Sequence, residues 1–177
     1  MRKLQNSELN RLTPEEFKLV EKMPLIIVLD NVRSQFNVGA VFRTSDAFLI
    51  GSVYLCGITA TPPNAEIHKS ALGSENTVHW KYFKTTEEAV LELKKSGYTI
   101  LSVEQAENSL DLRNFSIINN GKYAIVFGNE VKGVAQEIVD MSDHCIEIAQ
   151  HGTKHSLNIS ISAGIVIWEF YKMMLKI

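Results

Sequence analysis

The stretch Pro24-Leu-Ile-Ile-Val-Leu-Asp30-Asn-Val-Arg-Ser-Gln-Phe-Asn37-Val-Gly-Ala-Val-Phe-Arg43 decides the fold. Leu25-Ile-Ile-Val-Leu29 is a continuous apolar run of β-branched type, the pattern of a strand covered on both faces. A polar loop follows. Then Val38, Val41, Phe42, Ser45 and Phe48 recur at helical spacing. A buried strand feeding a helix through a polar loop is the opening unit of a parallel α/β sheet. Such sheets bind ligands in the loops at the carboxyl ends of their strands.

The alternation continues along the chain. Val53–Cys56 reads as a strand, Thr61-Pro-Pro-Asn64 as a turn, and the residues up to Gly73 as a short polar helix or loop. Val78–Phe83 is strand-like. Thr85-Thr-Glu-Glu88 is a capping box opening a helix that ends at Lys94-Lys95 and Gly97. Tyr98–Val103 and Lys122–Phe127 are further strands, Val134–Asp140 a short helix, His144–Ile148 the last strand and Asn158–Leu175 a long closing helix. The expected architecture is a mostly parallel sheet with helices on both faces. Residues 1–23 form a polar extension in which Thr13-Pro-Glu-Glu16 starts a short helix, and 24–177 form the main domain.

Composition narrows the function. The 177 residues suffice for one domain with a real core. A hydrophobic share of 45% with 21% charged residues excludes disordered and fibrous classes. A net charge of −2 argues against a protein that holds nucleic acid by overall positive charge, but leaves room for a local basic patch. Cys56 and Cys145 sit in apolar runs without ligand spacing, so they read as reduced thiols in a cytoplasmic protein rather than a disulfide or zinc site. The polar start Met1-Arg-Lys-Leu-Gln-Asn6 is no signal peptide, and no apolar run approaches the ~20 residues of a membrane span.

Three segments carry candidate chemistry. In the first, Asn31, Arg33 and Asn37 crowd a strand end, Gly39 permits close approach by backbone or ligand, and Arg43 lies about two helical turns beyond Asn37. The second, Phe127-Gly-Asn-Glu-Val-Lys-Gly133, follows a strand and suggests a loop with backbone amides open to a ligand. No Gly-Lys-Ser/Thr completes a phosphate loop, and no Gly-x-Gly-x-x-Gly occurs anywhere. Glu130 in that loop suits a hydroxyl or ammonium partner better than a phosphate. The third segment, Ile148–Ser160, is denser in polar residues than helix capping by Ser156 or Asn158 requires. His151 and His155 have a helical metal spacing, but Gly152 lies between them in a loop and no third ligand follows, so no metal is expected.

With these segments the chain resembles the SPOUT superfamily, and within it the TrmH-type RNA ribose 2′-O-methyltransferases. Asn37-Val-Gly-Ala-Val-Phe-Arg-Thr44, Phe127–Gly133 and Ser156-Leu-Asn-Ile-Ser160 match the three family motifs in order, and Lys69-Ser-Ala-Leu-Gly73 resembles a further signature. The resemblance implies an α/β fold with a C-terminal trefoil knot, S-adenosylmethionine as cofactor, an RNA substrate and a homodimer with its site near the subunit interface. By motif match, Arg43, Asn37, Glu130, Ser156 and Asn158 are the expected catalytic set. Gly128, Ile148 and Leu157, with Val103, Asn129, Gly133 and Gln150, are the expected cofactor-binding set. Ala149-Gln150 replaces the Pro-Met that many members carry after the isoleucine.

A guanidinium is a poor base, so the role expected of Arg43 is electrostatic: it binds the adjacent phosphate and stabilises the developing alkoxide. RNA contacts are expected from Arg33, Lys69, Lys154 and His155, with Arg2, Lys3 and Arg11 as further candidates. A short polar N-terminal helix without a separate RNA-binding domain resembles the tRNA-modifying type and points to tRNA ahead of rRNA, whereas the end of the chain at Ile177, without the family's C-terminal extension, argues against that assignment. The competing classes are a non-catalytic RNA-binding or cofactor-sensing relative and an unrelated nucleotide-binding α/β enzyme.

Overall fold

The structure is a computed structural model that describes residues 1–118 and 120–175. The expected domain end at Ile177 therefore lies outside the described residues. Its framework is a seven-stranded sheet whose every pairing is parallel. The strands are β1 (Met23–Asp30), β2 (Ile50–Cys56), β3 (Trp80–Phe83), β4 (Thr99–Val103), β5 (Leu110–Asp111), β6 (Tyr123–Phe127) and β7 (His144–Glu147). Their order is β3-β2-β1-β6-β4-β7-β5. The helices are α1 (Pro14–Leu19), α2 (Gln35–Ala47), α3 (Ala65–Ala71), α4 (Thr86–Lys95), α5 (Gln136–Met141) and α6 (Ile159–Leu175).

The expectation of a doubly covered first strand is met. Leu25, Ile27 and Leu29 pack into the core layer that holds α2, α3 and α6, whereas Ile26 and Val28 pack into the layer of α4 and α5. Period-two alternation thus distributes one apolar run between two cores.

Several boundaries differ from the sequence reading, each for a local reason. Helix α2 starts before Asn37, because the Ser34 hydroxyl accepts from the Asn37 amide at 3.2 Å and is the cap. Asn64 caps α3 through the amides of Glu66 and Ile67. At Thr13 both halves of the capping box form, whereas at Thr85 the Glu88 amide bonds the Thr85 hydroxyl without a return bond. The edge strand β5 is two residues long, too short for periodicity to reveal, and pairs with β7. Gly39 serves packing rather than a ligand. A Cβ there would stand 2.1 Å from Ser70 Oγ and 2.3 Å from the Ile67 carbonyl, so the glycine lets α3 lie against α2.

What positions the site is the middle of the sheet. Strands β6, β4 and β7 are neighbours, and their carboxyl ends at Phe127, Val103 and Glu147 open onto one cavity. From β7 the chain crosses as an irregular loop to α6, which packs on α2. Among the described residues no helix is long and apolar enough to cross a membrane.

Candidate active site

The cavity at these strand ends has a volume of about 480 Å³. All seven expected cofactor contacts line it. Val103 closes β4, Gly128, Asn129 and Gly133 come from the loop after β6, and Ile148, Gln150 and Leu157 from the loop after β7. Glu130, Ser156, Asn158 and His155 line it as well. The structure therefore gathers two of the three motif segments at one place.

The third is joined to them by a hydrogen-bonded relay. Glu130 accepts from the backbone amides of Arg33 at 3.0 Å and Ser34 at 2.9 Å, and from Asn37 Nδ2 at 3.2 Å. Asn37, buried at 5% exposure, accepts from Asn158 Nδ2 through its Oδ1 at 3.2 Å. Asn158 Oδ1 accepts in turn from the Ser160 amide at 2.9 Å, at the start of α6. The polarity follows from one end. An ionised carboxylate only accepts, so Asn37 must turn its NH₂ to Glu130 and its oxygen to Asn158. Burial alone would raise the Glu130 pKa, but the bonds from Arg33, Ser34 and Asn37 outweigh it and hold the carboxylate below its ordinary range. Its partners are amides of α2's entry turn, not the hydroxyl or ammonium expected from sequence.

The glycine loop corrects a second expectation. Most of its amides are engaged within the protein. Asn129 and Gly133 exchange backbone bonds at 2.9 and 2.8 Å, and Asn129 Oδ1 accepts from the amides of Val131 and Lys132. Glu104 Oε2 takes the Val134 amide at 3.0 Å, and buried Asp30 takes that of Ala135 at 3.1 Å. Gly128 and Gly133 allow this self-closure. A Cβ on Gly128 would stand 2.0 Å from the Gly133 carbonyl carbon, and one on Gly133, at φ +70°, 2.0 Å from Glu104. The open amides lie elsewhere: among the described residues, none from 149 to 157 donates a hydrogen bond.

Sequence reasoning missed Glu104, Gln105 and Asp30. Glu104 and Gln105 line the cavity, and Gln105 Nε2 bonds the His155 carbonyl at 2.7 Å, fastening the last loop to the end of β4. Asp30 also accepts from Thr86 Oγ1 at 2.5 Å and Asn31 Nδ2 at 2.8 Å. The available signal was position, since each sits at or just past the carboxyl end of a parallel strand.

Arg43 is not brought to the cavity of its own chain. It lies on the open face of α2 with Phe36, which is 62% exposed, and among the described residues its guanidinium has no hydrogen-bond or ion-pair partner. Arg33 and Lys154 are exposed and do not line the cavity, and Lys69 is paired with Glu66 at 2.6 Å. No cluster of potential metal ligands occurs among the described residues. Both cysteines are free, and burial pushes the Cys56 thiol up to about 12, which leaves it inert at neutral pH.

The chain is similar to known proteins in sequence and in fold. Residues 24–168 match the model of the SpoU rRNA Methylase family. The tRNA (guanosine(18)-2′-O)-methyltransferase of Aquifex aeolicus is 32% identical over 146 residues, covering 82% of this chain and 67% of the relative. The enzyme of that name from Thermus thermophilus is 27% identical over 172 residues, covering 97% and 87%. Among solved structures, an AdoMet-bound rRNA methyltransferase from Sinorhizobium meliloti superimposes with a TM-score of 0.80 at 25% identity, over 92% of this chain and 61% of that one.

Proposed function

The chain belongs to the SpoU rRNA methylase family, and on that premise we propose that it transfers a methyl group from S-adenosylmethionine to a ribose 2′-hydroxyl of RNA. The observation that carries this reading is the relay Glu130–Asn37–Asn158, which joins all three motif segments at the mouth of one cavity. The cavity suits the donor. It offers apolar wall from Val103, Phe127, Ile148 and Leu157, beside open backbone amides in the 149–157 loop. An adenine ring and its amino edge require that combination of apolar contact and backbone hydrogen bonding. When bound, the donor supplies an activated sulfonium methyl.

The residues of the chain do the rest. Asn158 and Ser156 face the cavity and orient what enters it. Glu130, held by amides of the turn into α2, fixes Asn37 and through it Asn158. Arg43 binds the phosphate beside the target ribose and stabilises the alkoxide as its proton passes to that phosphate and on to water.

Because Arg43 stands on an open face, the reaction is completed in a homodimer, where Arg43 of a second copy meets the cavity. The apolar residues left exposed along α6, Ile161, Ile165 and Trp168, together with Phe36 on α2, supply a surface that such a dimer covers. The knot implied by the family, the division at residue 24 and a cytoplasmic location complete the proposal.

We favour tRNA as substrate, since both relatives compared by sequence carry names that specify tRNA (guanosine(18)-2′-O)-methylation and the Thermus thermophilus enzyme matches over 97% of this chain. The test is methyl transfer to purified tRNA and rRNA transcripts, with 2′-O-methyl sites mapped in RNA from a deletion strain. Transfer to tRNA and loss of one tRNA site are expected. Loss of an rRNA site alone would reassign the substrate.

A further inference from the structure

Away from the cavity, at the opposite edge of the sheet, two hollows of about 510 and 450 Å³ share one wall, formed by Glu75, Asn76 and Trp80. Their linings differ in chemistry. The first has Pro62, Pro63 and His68 around the half-buried Trp80. The second has Lys18, Lys22 and His79. Between them Glu75 is only 8% exposed. One oxygen accepts from or pairs with His68 Nδ1 at 2.6 Å, and the other, Oε2, has no partner among the described residues. That oxygen is sealed from solvent, so Glu75 serves as the wall between the hollows and does not present Oε2 to either of them.

Burial alone would raise the Glu75 pKa, but His68 and the nearby amides of Glu75 and Gly73 hold it below the ordinary carboxylate range. On the basic side, Lys22 is engaged with the carbonyls of Phe17 and Val20 and lies 4.3 Å from the centre of the Phe17 ring. Lys18 is exposed and carries no such bond among the described residues, and His79 has one ring nitrogen beside Ser52 Oγ at 2.9 Å.

We propose that these paired hollows hold one unstacked nucleotide of the RNA substrate, its base against Trp80 and its phosphate against Lys18 and His79. An aromatic face with a cationic seat next to it is a combination by which proteins hold single-stranded RNA. The arrangement gives the N-terminal segment a role, because Lys18 belongs to α1, which Phe17 anchors in the core. The proposal rests on RNA being the substrate, and it places a grip on the nucleic acid remote from the reacting ribose.

The test titrates short single-stranded RNA into the full chain while recording tryptophan fluorescence, for the wild type, Trp80→Leu and Lys18→Ala. Binding of S-adenosylmethionine is measured in parallel by calorimetry. Quenching in the wild type is expected. Trp80→Leu should abolish its main component and weaken RNA binding about tenfold, the usual size of a lost base stack. Lys18→Ala, at an exposed position that folding does not depend on, should lower the salt slope by about one. Cofactor affinity should stay unchanged in both.

RNA bound equally well by Trp80→Leu, or quenched equally by it, overturns the proposal, as does an unaltered salt slope in Lys18→Ala. The two readings separate cleanly. Methyl transfer with the same kcat/KM in Trp80→Leu sinks the nucleotide site and leaves the enzyme. Quenching at Trp80 without methyl transfer to any RNA sinks the enzyme and leaves the site.

Discussion

The two loops that wall the cavity are built on opposite principles. In the Phe127–Ala135 loop the polar groups are spent inside the protein: Asn129 bonds its own turn, Glu104 and Asp30 take its last amides, and Glu130 reaches across to α2. In the loop from 149 to 157 no backbone amide is spent, and its tethers are the Gln105 bond to the His155 carbonyl and Asn158 at its end. One wall is organised before anything binds; the other keeps its hydrogen-bonding capacity for what does. A saturated loop fixes geometry and an unsaturated one supplies recognition, so residues of the two should fail differently when changed.

The largest effect should come from the residue outside both walls. Arg43→Ala is expected to lower kcat by about 10²–10³-fold, the cost of losing one oxyanion-stabilising donor, with S-adenosylmethionine binding retained in calorimetry. Mixing Arg43→Ala with Asn158→Ala subunits should restore activity, because one of the two sites in a mixed dimer has both residues intact. No recovery in subunits shown to exchange would confine the site to a single chain.

Next in size is the saturated loop. Gly128→Ala forces a Cβ to within 2.0 Å of backbone at Gly133 and Val134, and should cost about 1–3 kcal/mol in thermal unfolding together with cofactor affinity. Glu130→Gln leaves amides of Arg33 and Ser34 facing a group that cannot accept from all of them. A hydrogen bond to a charged acceptor contributes about 1.5–3 kcal/mol, so loss of one should lower kcat/KM by about tenfold to a hundredfold. By contrast, Gln105→Ala removes a tether of the other loop and should raise KM for the cofactor while sparing the melting temperature. A parallel loss of stability in both variants would erase the distinction between the two walls.

Acid should dismantle the relay from its carboxylate end. The folded pKa of Glu130 is lowered, so its contribution to stability is fully present above the ordinary carboxylate value and disappears as pH falls through the lowered one. Wild-type stability should therefore drop with acid below about pH 4 more than that of Glu130→Gln, by difference melting curves. The smallest effect is expected at Lys69, which is exposed and paired with Glu66. Lys69→Ala should change stability by less than about 0.5 kcal/mol.

Much of this was legible in the sequence, and the parts that were not share a cause. The run Leu25–Leu29 was legible because apolar periodicity is a local property, and the family resemblance pointed to seven residues that the structure gathers around one cavity. Glu130's partners came from residues more than ninety positions earlier, and no local pattern encodes a pairing at that distance. For the same reason two glycines in Phe127–Gly133 suggested open amides, whereas the atoms that close the loop belong to Glu104 and Asp30. The placement of Arg43 away from its own cavity depends on which face of α2 meets α3 and α6, and Ser70 and Ile67 against Gly39 settle that contact.

The most direct test is to incubate the full chain with S-adenosylmethionine labelled in its methyl group and with tRNA, digest the RNA to nucleosides and identify the labelled product. The account predicts a 2′-O-methylated nucleoside from the wild type and none from Arg43→Ala at equal cofactor occupancy. Label on a base, or full 2′-O-methylation by Arg43→Ala, would contradict it.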